Sequence, residues 1–530
     1  MFKFFRKQPV AQAVEQARLD PVFNVQERAV SKPTSSQTKR HAMHAQRFDA
    51  ARNERLHKNH AWGSNSLSAD ETLRRDLLRL RSASRQAGED VGYVKRYYGM
   101  VQTHIVGETG VRLQSEVRDK KGDLDKKVNN AIEAALKEWA KIGVCEISGR
   151  MNFVSAQQLI AKTVSQDGDI LIRHIDGADN KFGYAFQLIE ADLLDVQLYK
   201  TLDNGNIIKM GVEIDGYGRH VAYHILTSHP GEYTWKYNGK RYERIPASEM
   251  ELPFPMWRPG QNRGIPWAHA ALLDMNDIKG YRESTMVAAR LAASNMVIFE
   301  RDPDQEPPET DEDWDDDGSY HIDLEPGGSA IAPEGYKTRE TNFQHKGDSL
   351  ADIQKASLRG AASGTEVNYN VMGNDYEGVS FSSLRQAILE DRDHWKRQQG
   401  WFISQVIGPI YERWLRNALL KNAINNLKAY DLNRAMSYTF RGRRWQWVDP
   451  LKDEQAAGAA LDNYTANPLD VLNDKGVDLE QMGEGWERFL NTMEPIIKRA
   501  QQMGLGKQVK AGVAQSMKPE NEPAKIEDEE

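Results

Sequence analysis

The sequence predicts an α+β protein that is mostly helical. Apolar residues recur at helical spacing through several long segments, most clearly in a stretch that begins at Asp70. A central block over residues 169–244 holds short apolar runs separated by glycine turns, which is typical of antiparallel strands. With 530 residues, of which 39% are hydrophobic, the chain is long enough for several domains and carries much polar surface.

The N-terminal part is predicted to be helical after a flexible arm over residues 1–45. The helix from Asp70 has an apolar stripe, and arginines line the rest of its surface. The stripe consists of Leu73, Leu77, Leu78 and Leu80, and the arginines are Arg74, Arg75, Arg79, Arg81 and Arg85. Further helices are predicted over residues 91–105, 125–143 and 150–165.

The central block is predicted to form a small region of antiparallel strands. These strands cover residues 169–175, 186–192, 206–215, 220–226 and 235–244. Gly216-Tyr-Gly218 separates the third strand from the fourth, and Asn238-Gly239 lies in the fifth. Both sequences favour hairpin turns, because glycine and asparagine tolerate the backbone angles that such turns require.

Two prolines and two glycines occur in the segment Trp257-Arg-Pro-Gly-Gln-Asn-Arg-Gly-Ile-Pro-Trp267. Their backbone preferences predict a rigid loop, with Pro266 in the first turn of a helix. An alanine-rich helix, ~45 Å long, is predicted from Trp267 to about Met296. Its small side chains would allow other helices to approach closely.

An acidic segment follows this helix. Asp, Glu and Pro dominate residues 300–317, which predicts an exposed loop with short strands after it over residues 319–336. Asp313-x-Asp315-x-Asp317-Gly318 matches the start of an EF-hand loop. Calcium requires a bidentate carboxylate at the twelfth position, which is Leu324 here, so a specific calcium site is not expected.

A polar loop lies between two predicted helices in the C-terminal half. A short helix over residues 348–362 precedes the loop, which contains Gly373 and Gly378. A long helix follows, with Ser380, Ser382 or Ser383 as its N-cap. It is expected to kink or end at Gly408-Pro409, because proline lacks the N–H that a helix needs.

The remaining C-terminal residues are predicted to form helices and a disordered tail. The helices cover residues 453–461, 466–475 and 484–503, and the tail covers residues 505–530.

The composition and charge of the chain argue against several classes of protein. The net charge of −7 argues against tight DNA binding but allows DNA to pass along a surface. No apolar run approaches ~20 residues, so no membrane span is expected. The single cysteine, Cys145, excludes an intramolecular disulfide and a cysteine-based zinc site. The P-loop pattern is missing from the sequence, so the chain is not expected to be a P-loop motor, and no metal or cofactor is expected.

Three patterns have alternative interpretations. Gly347-Asp-Ser-Leu350 and Asp391-Arg-Asp-His394 together match a GDSL-type serine esterase, with Ser349 as nucleophile, His394 as base and Asp391 as its partner. Both motifs fall on predicted helices, which disfavours that enzyme. A basic and aromatic run could stack on or clamp nucleic acid, although packing of its domain against a neighbour is favoured. The run consists of Arg441, Arg443, Arg444, Trp445 and Trp447.

The third pattern is a set of loosely spaced histidines, which is not expected to bind metal. The set consists of His41, His44, His57 and His60.

Several of these motifs together resemble one known family. The segment from Arg258 to Trp267 is the most specific of them, and the polar loop with its serine-rich helix start is the most informative. The motif residues are Arg258, Pro259, Gly260, Gln261, Arg263, Gly264, Pro266, Trp267, Ser382, Ser383, Arg385, Trp447, Asp449 and Pro450. In collinear order over roughly residues 48–500, the sequence resembles the lambda-type family of phage portal proteins.

The resemblance implies an elongated portal-type subunit with wing, stem, clip and crown parts that assembles as a ring. Residues 1–45 would be the flexible arm, 46–264 the wing, 265–299 the first stem helix, 300–347 the clip with the acidic loop, 348–364 the second stem helix, 365–380 the tunnel loop, 381–420 the spine helix of the wing, 421–504 the crown and C-terminal helices, and 505–530 the disordered tail.

The resemblance also implies the function. The ring, a dodecamer made in the host bacterial cytoplasm, would sit at one capsid vertex of the virion, nucleate head assembly, and let double-stranded DNA pass without sequence specificity. Its partners would be the terminase large subunit, the major capsid and scaffold proteins, and a head-completion or neck protein, with no membrane. The residues expected to face the DNA are Asn368, Tyr369, Asn370, Asn374 and Tyr376. A non-viral structural ring protein is the alternative outside the enzymes.

Overall fold

A computed structural model describes residues 67–232, 241–293, 297–301, 336–340, 348–445 and 450–468, with separate positions between 471 and 498. Nearly all of them belong to one compact unit, Ser68–Glu530. Several predictions fall outside the described residues: the arm over 1–45, the histidines at 41, 44, 57 and 60, the Asn238-Gly239 turn, the acidic and EF-hand-like segment, and the tail over 505–530.

Helices predominate and are accompanied by short antiparallel strands, so the predicted α+β, mostly helical class is confirmed. The helices are α1 (Ala69–Asp90), α2 (Gly92–Val101), α3 (Lys126–Trp139), α4 (Phe153–Asp167), α5 (Leu272–Ala293), α6 (Asp348–Gly364), α7 (Tyr369–Gly373), α8 (Phe381–Phe402), α9 (Gly408–Leu420), α10 (Leu432–Ala435) and α11 (Pro450–Asp462). The strands are β1 (Arg112–Ser115), β2 (Leu171–Asp176), β3 (Tyr184–Ile189), β4 (Tyr199–Thr201), β5 (Ile207–Lys209), β6 (Val212–Ile214), β7 (His220–Leu226), β8 (Tyr242–Pro246), β9 (Met250–Glu251), β10 (Val297–Arg301), β11 (Tyr336–Glu340) and β12 (Tyr438–Arg441).

The strands pair antiparallel with their neighbours. One sheet has the order β4-β5-β6-β7-β8 and a second has the order β3-β2-β9. The predicted hairpin across Gly216-Tyr-Gly218 is confirmed, because β6 pairs with β7. The single strand predicted over residues 206–215 is instead two strands, β5 and β6. Met210 and Gly211 both have positive φ angles, 49° and 82°, and they reverse the chain between them.

A large buried cluster joins the N-terminal helices to α8 and α9. Trp139 lies within it, fully buried, and its indole N–H donates to the carbonyl of Tyr184 at 2.9 Å. Its ring centroid is 5.1 Å from that of Phe153 and 6.0 Å from that of Trp414. Tilted aromatic contacts of this kind add specific stabilisation to the area they bury. The cluster therefore holds together helices that are far apart in sequence.

The stripe predicted for α1 is partly wrong. Leu73 and Leu77 are buried, but Leu78 is 49% exposed, and the predicted surface residue Arg81 is only 1% exposed. Arg81 follows Leu77 by four residues and so lies on the same helix face. A guanidinium group can occupy that position because carboxylates from elsewhere in the chain neutralise it.

The helix predicted from Trp267 begins five residues later, at Leu272. Residues 266–271 form turns, in which His269 N–H donates to the carbonyl of Pro266 at 3.1 Å. The helix ends at Ala293, and Val297–Arg301 is a strand instead of part of the helix predicted over 265–299. Likewise, the helix predicted over 125–143 ends earlier, at Trp139.

Helices α5 and α6 pack antiparallel. Gly360 near the end of α6 lies against Asp274 near the start of α5, and Gly364 lies against Ala271. The strands β10 and β11, which follow α5 and precede α6, pair with each other. The chain therefore leaves this helix pair and returns to it at the same end.

The long helix does not end at Gly408-Pro409. Residues Ile403–Ile407 form a π turn between α8 and α9, and Gly408 N–H donates to the carbonyl of Ile403. The wider turn lets the helix continue past a proline that cannot donate a hydrogen bond. A second π turn, Gln102–Val106, ends α2. In the part of the chain that the structure describes, no helix is long and apolar enough to cross a bilayer.

Candidate functional site

The motif segment lies in a junction between α1, α4 and the sheets, and Arg263 is its centre. Arg263 is fully buried. Its Nε donates to Asp169 Oδ2 at 2.8 Å, and its Nη atoms donate to Asp169 Oδ1 and to the carbonyls of Leu194, Met210 and Ala191 at 2.9–3.3 Å. All five N–H groups of the guanidinium therefore have partners, which a buried charge requires.

Two arginines of α1 complete this junction. Arg81 donates to Asp169 at 2.5 Å and to the carbonyl of Asp167 at 2.8 Å. Arg85 makes a bidentate pair with the Asp167 carboxylate and a further contact with Asp192. Burial alone would raise the pKa of Asp169, but the guanidinium groups of Arg263 and Arg81 outweigh burial and lower it. We call Arg81, Arg85, Arg263 and their aspartates the arginine junction.

Glycine is required at position 264 because the backbone there lies very close to the backbone of Gly168, within the arginine junction. A Cβ atom on Gly264 would lie 2.0 Å from the carbonyl oxygen of Gly168. Gly168 follows α4 with a φ of +94°, which L side chains rarely adopt. Gly264 N–H also donates to Asp169 at 2.8 Å. The Arg-Gly pair of the motif therefore has an architectural role.

The motif segment has a buried half and an exposed half. Gln261 is buried and closes the loop on itself: its Oε1 accepts from the N–H of Trp257 at 3.0 Å, and its Nε2 donates to the carbonyl of Arg263 at 2.7 Å. Asn262 donates to Asp70 at the start of α1. Pro266 and Trp267 are also buried, and Trp267 contacts Trp401 edge-on, with ring centroids 5.9 Å apart. Trp257, Arg258, Pro259 and Gly260 are exposed.

The predicted polar loop over residues 365–380 contains the short helix α7. The Asn368 side chain caps α7 by accepting from the N–H groups of Asn370 and Val371. Tyr369 OH donates to the Asp375 carboxylate, and the Asn370 side chain donates to the Asp375 carbonyl at 2.7 Å. These local hydrogen bonds give the loop a defined shape.

Two of the five residues predicted to face DNA are exposed. Asn374, at the end of α7 in a left-handed conformation, and Tyr376, 49% exposed, form the outer part of the loop. The other three predicted residues are half-buried, and their side chains make the bonds just described. Of the three possible caps of α8, Ser380 is the one used, because its Oγ accepts from Ser383 N–H at 3.2 Å. Ser382 and Ser383 are exposed, and Arg385 is half-buried.

The loop joins α8 through charged side chains. Glu366 contacts Arg397 and His394, the latter at 3.2 Å. The Asp391 carboxylate accepts from Asn368 N–H at 2.8 Å. These residues line a cavity of about 700 Å³ between α6, the loop and α8. Burial raises the pKa of Asp391 to about 6 and lowers that of His394.

The arrangement contradicts the serine esterase. Ser349 lies in the first turn of α6, whereas His394 contacts Glu366, which lies beyond the C-terminal end of the same helix. Fifteen residues of helix separate Ser349 from Gly364, about 22 Å. The candidate nucleophile therefore cannot reach the candidate base. Asp391 pairs with the backbone of Asn368, so a catalytic triad is not formed.

The basic and aromatic run packs internally where the structure describes it. Trp445 stacks on His104 and donates to its Nδ1 at 2.9 Å, while Arg443 donates to the Thr103 carbonyl at 2.7 Å. Burial, together with Arg443, lowers the pKa of His104 to about 4. Trp447 and Asp449 lie outside the described residues, and Pro450 is the first residue of α11. Arg443 and Trp445 therefore pack inside the chain, against the π turn that ends α2.

The acidic residues at these sites could not be identified from the sequence. Asp70, Asp167, Asp169, Asp192 and Glu366 were not singled out, because their partners lie far away in the chain. A signal existed for Arg81 alone, since Leu73, Leu77 and Arg81 follow one another at four-residue spacing on one helix face. Among the described residues, no group of three His, Cys, Asp or Glu side chains is arranged to hold a metal ion.

Comparisons with known proteins show the family that the motifs resemble. A family profile described as "Phage portal protein, lambda family" matches residues 55–399. The chain is 32% identical over 482 residues to a "Probable portal protein" of Halomonas phage phiHAP-1, covering 90% of this chain and 91% of that protein.

Two solved structures align with this chain at lower sequence identity. The neck of a native gene transfer agent particle, computed with C12 symmetry, aligns with a TM-score of 0.42 and 10% identity, covering 79% of this chain and 95% of that chain. An HK97 family phage portal protein from Corynebacterium diphtheriae aligns with a TM-score of 0.32 and 10% identity, covering 71% of this chain and 98% of that chain. Membership of a family therefore depends on the two sequence matches.

Proposed function

The chain belongs to the lambda family of phage portal proteins, and from this membership we propose that it forms the ring at one capsid vertex through which double-stranded DNA is packaged and ejected. As a member of that family, it is a structural component of the phage particle and not an enzyme. The observation that carries the proposal is the match over residues 55–399, which spans the arginine junction, the paired helices and the polar loop.

The proposed ring is a dodecamer of copies related by rotation, so that one face of each copy meets a different face of the next. Large apolar side chains on α5 support such contacts: Leu273 is 77% exposed, and Met286 and Val287 are more than half exposed. In the proposed ring, a neighbouring copy would cover these side chains, of which Met286 and Val287 are adjacent in the sequence.

The parts of the subunit are assigned by this proposal. Residues 46–264 are the wing, and α5 and α6 are the stem helices. Residues 300–347 are the clip, residues 365–380 the tunnel loop, residues 381–420 the spine helix, and residues 421–504 the crown. The antiparallel packing of α5 on α6, with β10 paired to β11 beyond them, supports a stem that leads to a clip.

The polar loop is proposed to approach the DNA without holding it. Its charged residues are Glu366, Asp375 and Glu377, and it contains neither lysine nor arginine. A loop with this charge does not form the phosphate contacts that generate affinity, so a duplex can slide past it. Asn374 and Tyr376 are the residues best placed to approach DNA, because their side chains are exposed.

The remaining parts of the proposal concern partners. The ring would dock the terminase large subunit during packaging, contact the major capsid and scaffold proteins while it nucleates head assembly, and later join a head-completion or neck protein. Synthesis in the host bacterial cytoplasm before assembly belongs to the same proposal.

The experiment that tests this function has two steps. Purified full-length protein is examined by mass measurement and negative-stain imaging, and rings of about twelve copies with a central pore are expected. Phage carrying Tyr376→Ala or a deletion of residues 376–379 should then keep intact rings, because the bonds from Asn368 to Asp375 remain. They should package or retain less DNA, because the exposed tip proposed to approach the duplex is altered or missing.

Tyr217→Ala is the matched control, since Tyr217 is 86% exposed on a hairpin turn far from the loop in sequence. Monomers at every concentration would contradict the ring. Normal genome filling after the deletion would contradict the role of the loop.

A further inference from the structure

The junction between α6 and α7 holds an unusual backbone conformation. Glu366 has a φ of 56°, a left-handed conformation that glutamate rarely adopts. Such a conformation costs free energy and persists only where surrounding contacts maintain it. The residues that contact Glu366 are therefore candidates for a role in positioning the loop.

Those contacts come from consecutive turns of α8. Arg397 and His394 both contact the Glu366 carboxylate, and Asp391 accepts the N–H of Asn368, two residues further along the chain. Two of these residues formed part of the esterase motif in the sequence, and the structure gives them this different set of partners. Arg359, Glu390 and Asp393 are the other charged residues around the adjoining cavity.

We propose that Glu366, Asp391, His394 and Arg397 form a latch that fixes the root of the polar loop to the long helix. The latch would make the loop follow any displacement of α8, so that a change at the helix is transmitted to the loop. Its significance for DNA passage depends on the proposed function, whereas the latch itself does not.

Other contacts hold the middle of the loop and are separate from the latch. Arg96 donates to the carbonyl of Val371 at 2.8 Å, Met372 is fully buried, and Lys355 approaches Asp375 at 3.8 Å. Breaking the latch should therefore loosen the root of the loop without unfolding the loop or the subunit.

Hydrogen exchange of the full-length protein tests the latch. Glu366→Asn suits the left-handed backbone, because asparagine tolerates positive φ, but its shorter side chain cannot reach both partners. Arg397→Gln removes the main partner instead. In both variants, amides of residues 366–368 should exchange about two- to fivefold faster than in the parent protein, while amides of α3 remain unchanged. Arg397→Lys, which keeps the charge, should restore part of the protection.

Lys396→Gln is the matched control. Lys396 is adjacent to Arg397 and is similarly exposed, and among the described residues its ion pair is with Asp393 on its own helix, at 3.9 Å. Exchange at residues 366–368 that is no faster in Glu366→Asn and Arg397→Gln than in this control would overturn the latch. Faster exchange with normal DNA filling of particles would support the latch and show that DNA passage does not depend on it, so the two proposals can fail separately.

Discussion

The arginine junction and the polar loop are both rich in charged and polar residues, but they are built differently. In the junction, Arg81, Arg263 and Asp169 are essentially inaccessible to solvent, and their partners lie up to 111 residues apart in sequence. In the loop, Asn368, Tyr369 and Asn370 bond mainly to residues within six positions, and the outer residues are exposed.

This difference predicts how the contacts in each region break. Junction contacts connect distant segments, so they can break only when most of the subunit unfolds. Loop contacts are local and can break while the remaining structure is intact. The same polar residue types therefore give a rigid frame in one place and a separately movable element in the other.

The strongest test of the comparison replaces the central arginine. Arg263→Met should destabilise the protein by about 3–5 kcal/mol, because it leaves the Asp169 carboxylate buried with one guanidinium fewer. Chemical denaturation measures the free energy of unfolding. Arg258→Met is the control from the exposed half of the same motif, and its effect should stay below about 1 kcal/mol. Equal losses in the two variants would show that burial is not what distinguishes the junction.

Gly264→Ala should be the next largest change. Its methyl group would overlap the carbonyl oxygen of Gly168, and relief requires a backbone shift that costs about 1–3 kcal/mol. Gly280→Ala in α5 is the matched control, because no atom lies within 4 Å of the position of its Cβ. There alanine should stabilise the helix by about 0.5–1 kcal/mol. Thermal unfolding of both variants should therefore move in opposite directions, and a shared direction would refute the steric explanation.

The smallest effect should appear at the latch as a dependence on pH. Burial raises the pKa of Asp391 from its ordinary 3.8 to about 6, so between these values the folded state binds the proton more tightly than the unfolded state does. Because of this residue, the free energy of unfolding of the parent protein should decrease as pH rises from 4 to 6. Asp391→Asn lacks this loss and keeps an acceptor for Asn368 N–H.

The free energy of unfolding of Asp391→Asn, compared with the parent protein, should therefore improve by about 1 kcal/mol between pH 4 and pH 7, allowing for partial exposure of the group. Denaturation at a series of pH values measures this difference. A difference that is constant across the range would show that the Asp391 carboxyl is not perturbed.

Most of the fold follows from local patterns in the sequence. Helical spacing predicts α4 and α8, and the glycine turn predicts the β6–β7 hairpin, because these patterns act over a few neighbouring residues. The motifs also resemble the family that the two sequence matches show. The exposed tip at Asn374 and Tyr376 lies within the loop that the sequence selects.

Only the tertiary structure decides which polar residues are structural and which are accessible. Arg81 and Arg258 look alike in the sequence, yet one is buried against Asp169 and the other is exposed. Asp391 and His394 match a catalytic motif, but they hold Asn368 and Glu366 instead. The reason is that ion pairs and hydrogen bonds form between groups that are close in space. Local sequence patterns do not reveal which distant segments come together when the chain folds.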